Sequence, residues 1–157
     1  MTNKKKSWRE KLSDSKDLPR VEKITEKMSQ RWGTGTVVIP APIEVDEIMK
    51  KVPNGKLITI NIIRQILAKR HGATIGCPIT TGIFAMISAN AANEDENVGK
   101  TEITPYWRTL KKGGELNPKY PGGIDNIKKR LASEGHSIVQ KGKKFVVKDF
   151  EKSIVDE

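Results

Sequence analysis

The sequence predicts a mainly α-helical domain closed by one small β-hairpin, and three observations predict it. Apolar residues recur at helical spacing from about residue 44 to about 92, and again over 122–134. Turn residues, Pro53-Asn54-Gly55 and Gly72, punctuate the first of these stretches. Ser137–Gln140 and Lys144–Val147 flank Lys141-Gly142-Lys143, the pattern of two short strands around a tight turn. At 157 residues the chain has the length of one domain with an extension. We divide it into a basic N-terminal extension over 1–42, a compact domain over 43–150 and a C-terminal tail over 151–157.

The extension is polar and lysine-rich, and its apolar residues are too sparse for a core of their own. Val21, Ile24 and Met28 have helical spacing, which predicts a short helix over about 20–31 on an arm that packs loosely or frays. Thr36–Ile39 reads as a short strand stopped by Pro40 and Pro42. A helix over about 44–52 follows. It carries Glu44, Asp46 and Glu47 in its first turn and Lys50 and Lys51 in its last, signs that suit the helix dipole. Thr59 is placed to cap a helix over about 60–70, whose apolar stripe is Ile62, Ile63, Ile66 and Leu67, and Gly72 is its stop.

The next helix starts at Pro78 and runs to about Ala92. Ile79, Ile83, Met86 and Ile87 read as its buried stripe. The other side carries Thr80, Thr81, Ala85, Ser88, Ala89 and Ala92, with Phe84. Asn93–Lys100 reads as a polar loop. The helix over about 122–134 turns Ile124, Ile127 and Leu131 inward, and the hairpin completes the domain.

The formal net charge of +10 favours a polyanionic partner. Between Pro105 and Lys148 stand eleven Lys/Arg against three acids, Glu115, Asp125 and Glu134. Surfaces of this kind supply the phosphate contacts of nucleic-acid binders. Two helices joined by a tight turn and followed by a hairpin wing have the order of winged helix-turn-helix proteins that enter a DNA groove. Short side chains on the Thr80/Ser88 side would let a helix backbone sit deep in a groove, above all the minor groove, about 6 Å wide. The same residues would also suit packing against a neighbouring helix.

Other classes find little support. Cys77 is the only cysteine, so no intrachain disulfide forms, which suits a reducing, cytoplasmic setting. No apolar region follows the charged N-terminus, so no secretory signal is read there. No run approaches the roughly 18 apolar residues of a membrane span, so no membrane partner is expected. Gly33-Thr34-Gly35-Thr36 lacks the spacing of a phosphate-binding loop. His71 and His136 have no ligand company for zinc, and Glu94, Asp95 and Glu96 do not match a calcium loop. The expectation is therefore no cofactor and no metal.

Four runs stand in order in the C-terminal half: Pro105-Tyr106-Trp107-Arg108, Gly113-Gly114-Glu115-Leu116, Tyr120-Pro121-Gly122-Gly123 and Leu131-Ala132-Ser133-Glu134-Gly135-His136. With them, from Gly55 to Val147, the chain resembles the DNA-binding domain of alkylguanine-DNA alkyltransferases and of the alkyltransferase-like proteins related to them. Gly55-Lys56-Leu57-Ile58-Thr59 is similar to the family's entry into its second helix. In the family, a Cys in the slot held here by Tyr106 accepts the alkyl group from a flipped guanine, and a His in the slot held by Trp107 relays the proton. A free phenol titrates at about 10 and is a poor acceptor beside an activated thiolate, and an indole has only a donor N–H. The resemblance thus implies a non-enzymatic DNA binder, like the alkyltransferase-like proteins, which lack the acceptor Cys and bind lesions.

On that resemblance, Ile79, Thr80, Thr81, Phe84, Ala85 and Ser88 are the DNA-binding helix. Tyr106, Trp107, Arg108, Tyr120, Gly122 and Gly123 are the lesion pocket. Arg108, Lys111, Lys112, Lys128 and Lys129 are phosphate contacts. Tyr106 and Trp107 would either stack on a flipped base or plug a vestigial pocket. The family's intercalating Arg falls at Ile79 or Thr80 and its nucleotide-rotating Tyr at Ile60, so both polar tools are missing. The acidic Glu94–Glu96 loop is an insertion expected to point away from phosphates. Glu134 is kept and would close a helix network near Gly135.

Three further readings stay open. A sequence-directed regulator on the same scaffold is one. An alkyltransferase using Cys77, which sits where a helix dipole favours a thiolate but also where a buried small apolar residue would sit, is the second. A protein-interaction module is the third. The expected partner is double-stranded DNA, plain or alkylated. The extension would add phosphate contacts through Lys4, Lys5, Lys6 and Arg9, or recruit a repair-protein partner.

Overall fold

The computed structural model describes residues 6–155, which fold into six helices and seven short strands. Lys4 and Lys5 lie outside the described residues. In chain order these elements are α1 (Trp8–Ser13), β1 (Arg20–Lys23), α2 (Glu26–Trp32), β2 (Thr36–Ile39), α3 (Pro42–Lys50), β3 (Ile58–Thr59), α4 (Ile60–His71), β4 (Ile75–Gly76), α5 (Pro78–Asn97), β5 (Thr109–Leu110), α6 (Gly123–Ser133), β6 (Ile138–Lys141) and β7 (Lys144–Val147). The fold class is mainly helical with a small hairpin, as the periodicity predicts.

Several local signals act as expected. The Thr59 hydroxyl accepts from the Ile62 N–H and opens α4, and Gly72 closes it in the left-handed conformation. Pro78 is the first residue of α5, where a missing N–H costs nothing. In the hairpin, Ile138 pairs with Val147 and Lys141 with Lys144 around Gly142.

The core gathers one side of every long helix. Val45, Ile48 and Met49 from α3, Ile63 and Leu67 from α4, Ala85, Ala89 and Ala92 from α5, and Ile127 and Leu131 from α6 meet Leu57, Ile58, Leu110 and Leu116. β3 and β5 form a short parallel pair beneath them, Ile58 opposite Thr109. Glu44 ties the start of α3 to the end of α4. Its carboxylate accepts from the Ala41 N–H at 3.0 Å and lies 2.6 Å from His71 Nε2. Burial opposes its charge, but these bonds and Arg70 outweigh it and hold the carboxyl below its usual range.

Residues 7–39 depart from the expected loose arm. Thr25 caps α2, so the helix starts at Glu26 rather than at about 20, and residues 20–23 are a strand. β2 lies between β1, antiparallel, and β4, parallel, so a strand from the extension is built into one sheet with the entry to α5. Gly76 is required there: a Cβ would collide with the Arg64 backbone of α4. A second small core, Ile24, Val37 and Cys77 with Met28, Trp32, Ile39 and Ile75, fills the space below the sheet. Leu12 of α1 is fully buried against the domain. Sparse apolar residues suffice because they share a core with distant parts of the chain.

Candidate nucleic-acid interface

Pro105 leads into a single 3₁₀ turn, Tyr106–Arg108, that presents three side chains to the interior. Tyr106 is 0 % exposed. Its ring stands edge-on to Trp107, with centroids 5.2 Å apart, and to Tyr120, at 6.0 Å. Its hydroxyl accepts a hydrogen bond from Asn126 Nδ2 at 3.0 Å, and the same amide donates to the Pro121 carbonyl at 2.9 Å. Gly122, left-handed, lets the chain turn into α6 above Asn126; a Cβ there would strike the Asn126 side chain.

Trp107 Nε1 donates to Glu134 Oε2 at 2.9 Å. Arg108 grips the same carboxylate in a two-pronged pair, Nε to Oε1 at 2.8 Å and Nη2 to Oε2 at 2.7 Å, while Nη1 donates to the Val52 carbonyl at 2.7 Å. Burial disfavours the charge on Glu134, but the bonds from Arg108 and Trp107 win and hold it below the usual carboxylate range. Burial pushes the Tyr120 phenol well above its ordinary range, so it stays protonated even in alkali. Arg130 covers the cluster, its guanidinium 4.5 Å from the Trp107 ring, bonded to Asn126 at 3.0 Å and to Glu96 at 2.6 Å. Arg108, expected as a phosphate contact, is thus held on three sides by the protein itself.

The faces of α5 are the reverse of the expected ones. Thr81, Ala85, Ser88, Ala89 and Ala92 are buried, while Ile79 and Ile83 are 58 % and 51 % exposed; Thr80, Phe84, Met86 and Ile87 are half-buried. The small residues allow α5 to pack tightly against α3, as close-packed interiors require. Ser88 also has a polar reason to be inside. Its hydroxyl donates to buried Asp46 Oδ1 at 2.5 Å, and Thr104 donates to the same oxygen at 2.7 Å. Of the six residues expected to read DNA, only Ile79 is more than half exposed, and Thr81, Ala85 and Ser88 hold the core.

The outer face of α5 is the floor of an open groove of about 670 Å³. Ile79, Ile83 and Met86 line the floor. Trp8 and Lys11 of α1 also line the groove, as do Lys111, Asn117 and Lys119. Its charged lining is three lysines and no acid. Lys112 is exposed one residue beyond the lining, Lys129 is exposed on α6, and Lys128 packs its ammonium 5.0 Å from the Phe145 ring. The basic C-terminal third is therefore divided. Lys111 and Lys119 face the groove, Arg108 and Arg130 brace the aromatic cluster, and Lys144 and Lys111 both stand 3.9 Å from Glu115.

A separate cavity of about 450 Å³ opens beside Trp107 and Arg108, lined also by Lys50, Glu102 and Pro105; neither it nor the groove is lined by Tyr106 or Tyr120. Cys77 is buried in the small core under the sheet. Glu94–Glu96 are not a loop: α5 runs on to Asn97, and these acids lie on its last turns. Asn126 and Arg130, four residues apart on α6, were legible as a helical pair. Trp8, Lys11 and Asn117 carried no sequence signal for the groove. Among the described residues no His, Cys, Asp and Glu group is arranged to hold a metal ion, and no helix is long and apolar enough to cross a membrane.

This architecture, with its aromatic turn ahead of a Gly-Gly helix start, is the alkyltransferase-like fold. It is shared with Atl1 of S. pombe, solved in complex with damaged DNA containing O6-carboxymethylguanine, at 17 % sequence identity and a TM-score of 0.51, over 74 % of this chain and 94 % of that one. A structure of S. pombe ATL in complex with DNA aligns over the same shares at 17 % identity and a TM-score of 0.47. No family model matches the sequence, and no curated protein matches it.

Proposed function

We propose that this protein binds double-stranded DNA across the outer face of α5 and transfers no alkyl group. The observation that carries the reading is the groove itself: an apolar floor of Ile79, Ile83 and Met86 between walls whose charged groups are all lysines. Apolar side chains on such a helix wedge against base steps or sugars, and the lysines take the phosphates. Lys111, Lys119 and the adjacent Lys112 are the phosphate contacts we assign, with Lys128 and Lys129 as outlying ones. The similarity of fold to Atl1, solved in complex with damaged DNA containing O6-carboxymethylguanine, supports the same partner class.

The absence of alkyl transfer follows from the chemistry at the turn. On the resemblance, the acceptor slot falls at Tyr106, a buried, hydrogen-bonded phenol, and the relay slot at Trp107, whose indole donates to Glu134 and accepts no proton. Recognition of an altered guanine by Tyr106, Trp107, Tyr120, Gly122 and Gly123 is the finer form of this reading. It requires Tyr106 and Tyr120 to part, because their rings fill the slot.

One titration separates these statements. Plain and O6-alkylguanine duplexes, each at two salt concentrations, are expected to bind with affinity that falls as salt rises. Tighter binding of the modified duplex, lost in Tyr106→Ala, supports lesion recognition. Equal affinity removes that part and leaves a general DNA binder, and protection of one defined sequence supports a regulator. Undetectable binding at low salt overturns the whole reading. Protein mass after incubation with the modified duplex is expected to be unchanged; a gain on Cys77 overturns the non-enzymatic assignment.

A further inference from the structure

We infer that α1 is part of the DNA site, held in place by the acidic end of α5, and that Trp8 and Lys11 contact the duplex. The inference rests on the proposed DNA reading and names residues that the extension adds to it.

A helix of six residues does not persist on its own in water. Something must hold α1, and the structure shows what does. The Glu94 carboxylate lies across its N-terminus, accepting the Trp8 N–H at 3.0 Å and the Arg9 N–H at 2.9 Å. Those are N–H groups with no partner inside the helix, and a carboxylate there also meets the positive end of the dipole. The Arg9 guanidinium pairs with Asp95. Ser7 and Glu10 close a capping box, and Leu12 anchors the far end in the core. The acids at the end of α5 are therefore a clamp for the extension, and Arg9 is engaged inward.

With α1 clamped, two of its side chains are left for the groove. Lys11 Nζ stands 4.2 Å from the centroid of the Trp8 ring, and both line the same groove as Lys111 and Lys119. Without α1 the groove's charged lining is Lys111 and Lys119 alone. With it, a third lysine and an indole join them from a distant stretch of the chain. The half-buried indole beside the floor offers a flat apolar surface to a sugar or an exposed base.

Two variants test this through opposite signs. Lys11→Gln is expected to weaken duplex binding about three- to tenfold at low salt and to reduce the salt slope by about one. Glu94→Ala removes a negative charge from a protein that binds a polyanion. If net charge alone mattered, binding would tighten. If the clamp matters, binding weakens to a similar degree as in Lys11→Gln, because α1 is released. Amide exchange of residues 8–13 in free Glu94→Ala reads the release directly. A Lys119→Gln variant, in the same groove but outside α1, serves as reference for the DNA reading. Loss in Lys119→Gln with wild-type affinity in Lys11→Gln overturns the role of α1 and leaves DNA binding standing. Tighter binding by Glu94→Ala also overturns the clamp. No duplex binding by the wild-type protein overturns both.

Discussion

Two regions of this molecule lie on successive segments of the chain and differ in almost every physical respect. The turn at Tyr106–Trp107–Arg108 is closed, aromatic and internally satisfied: the phenol hydroxyl, the indole N–H and the guanidinium each have a partner inside the protein. The outer face of α5 is open, apolar and bordered by lysines paired only loosely or not at all. The contrast teaches that bracing and binding can be tested separately. The aromatic turn holds the scaffold together through its own internal bonds, and the face of α5 that we propose for DNA takes no part in them.

The largest effect that would break this contrast is expected at Glu134. Its side chain is 6 % exposed and holds both Arg108 and Trp107. Glu134→Ala leaves Arg108 with an uncompensated charge, and a loss of about 3–5 kcal/mol in unfolding free energy is expected, measured by denaturant titration. Survival at full stability would mean that the cluster is not a brace.

Ile83→Glu should act in the opposite sense. Ile83 is half exposed, so stability is expected to change by no more than about 0.5 kcal/mol. A carboxylate on the groove floor is expected to weaken duplex binding by about tenfold or more, roughly 1.4 kcal/mol. A fluorescence-anisotropy titration reads it, and unchanged affinity would move the interface elsewhere.

Acid provides a further separation. Glu134 and Glu44 both have folded-state carboxyls held below their usual range. Their contribution is therefore present at neutral pH and is lost as pH falls through and below the ordinary carboxylate range, about 4.3. Thermal melts are expected to show stability declining from about pH 5 downward, and the decline should be shallower in Glu134→Gln. The smallest expected effect is that of Tyr106→Phe. It removes one hydrogen bond from Asn126, which keeps those to Pro121 and Arg130. A loss of about 1 kcal/mol is expected, with plain-duplex affinity unchanged.

Much of this was legible from residue order. The caps at Thr59, Gly72 and Pro78 act locally, so they could be read locally. The aromatic turn and the Gly-Gly helix start were found because their order and spacing survive at low identity. The faces of α5 were not legible. Hydrophobicity argues that isoleucines go inside and threonines out, but α5 lies so close to α3 that only small side chains fit between them, and Ser88 has a partner in Asp46, 42 residues earlier. The same holds for the extension. Its strand finds a partner at Ile75–Gly76, and its first helix is held by Glu94, 86 residues beyond Trp8. Neither pairing leaves a trace in local periodicity.

The β2–β4 pairing has a consequence for anyone who would trim this chain to its compact part. β2 occupies the edge of β4, and Ile24, Val37, Met28, Trp32 and Ile39 roof Cys77. Deleting the first 40 residues would bare an unpaired strand and a thiol together. Such a fragment is expected to associate edge to edge and to form intermolecular disulfides in air, so its apparent oligomers would be products of the excision.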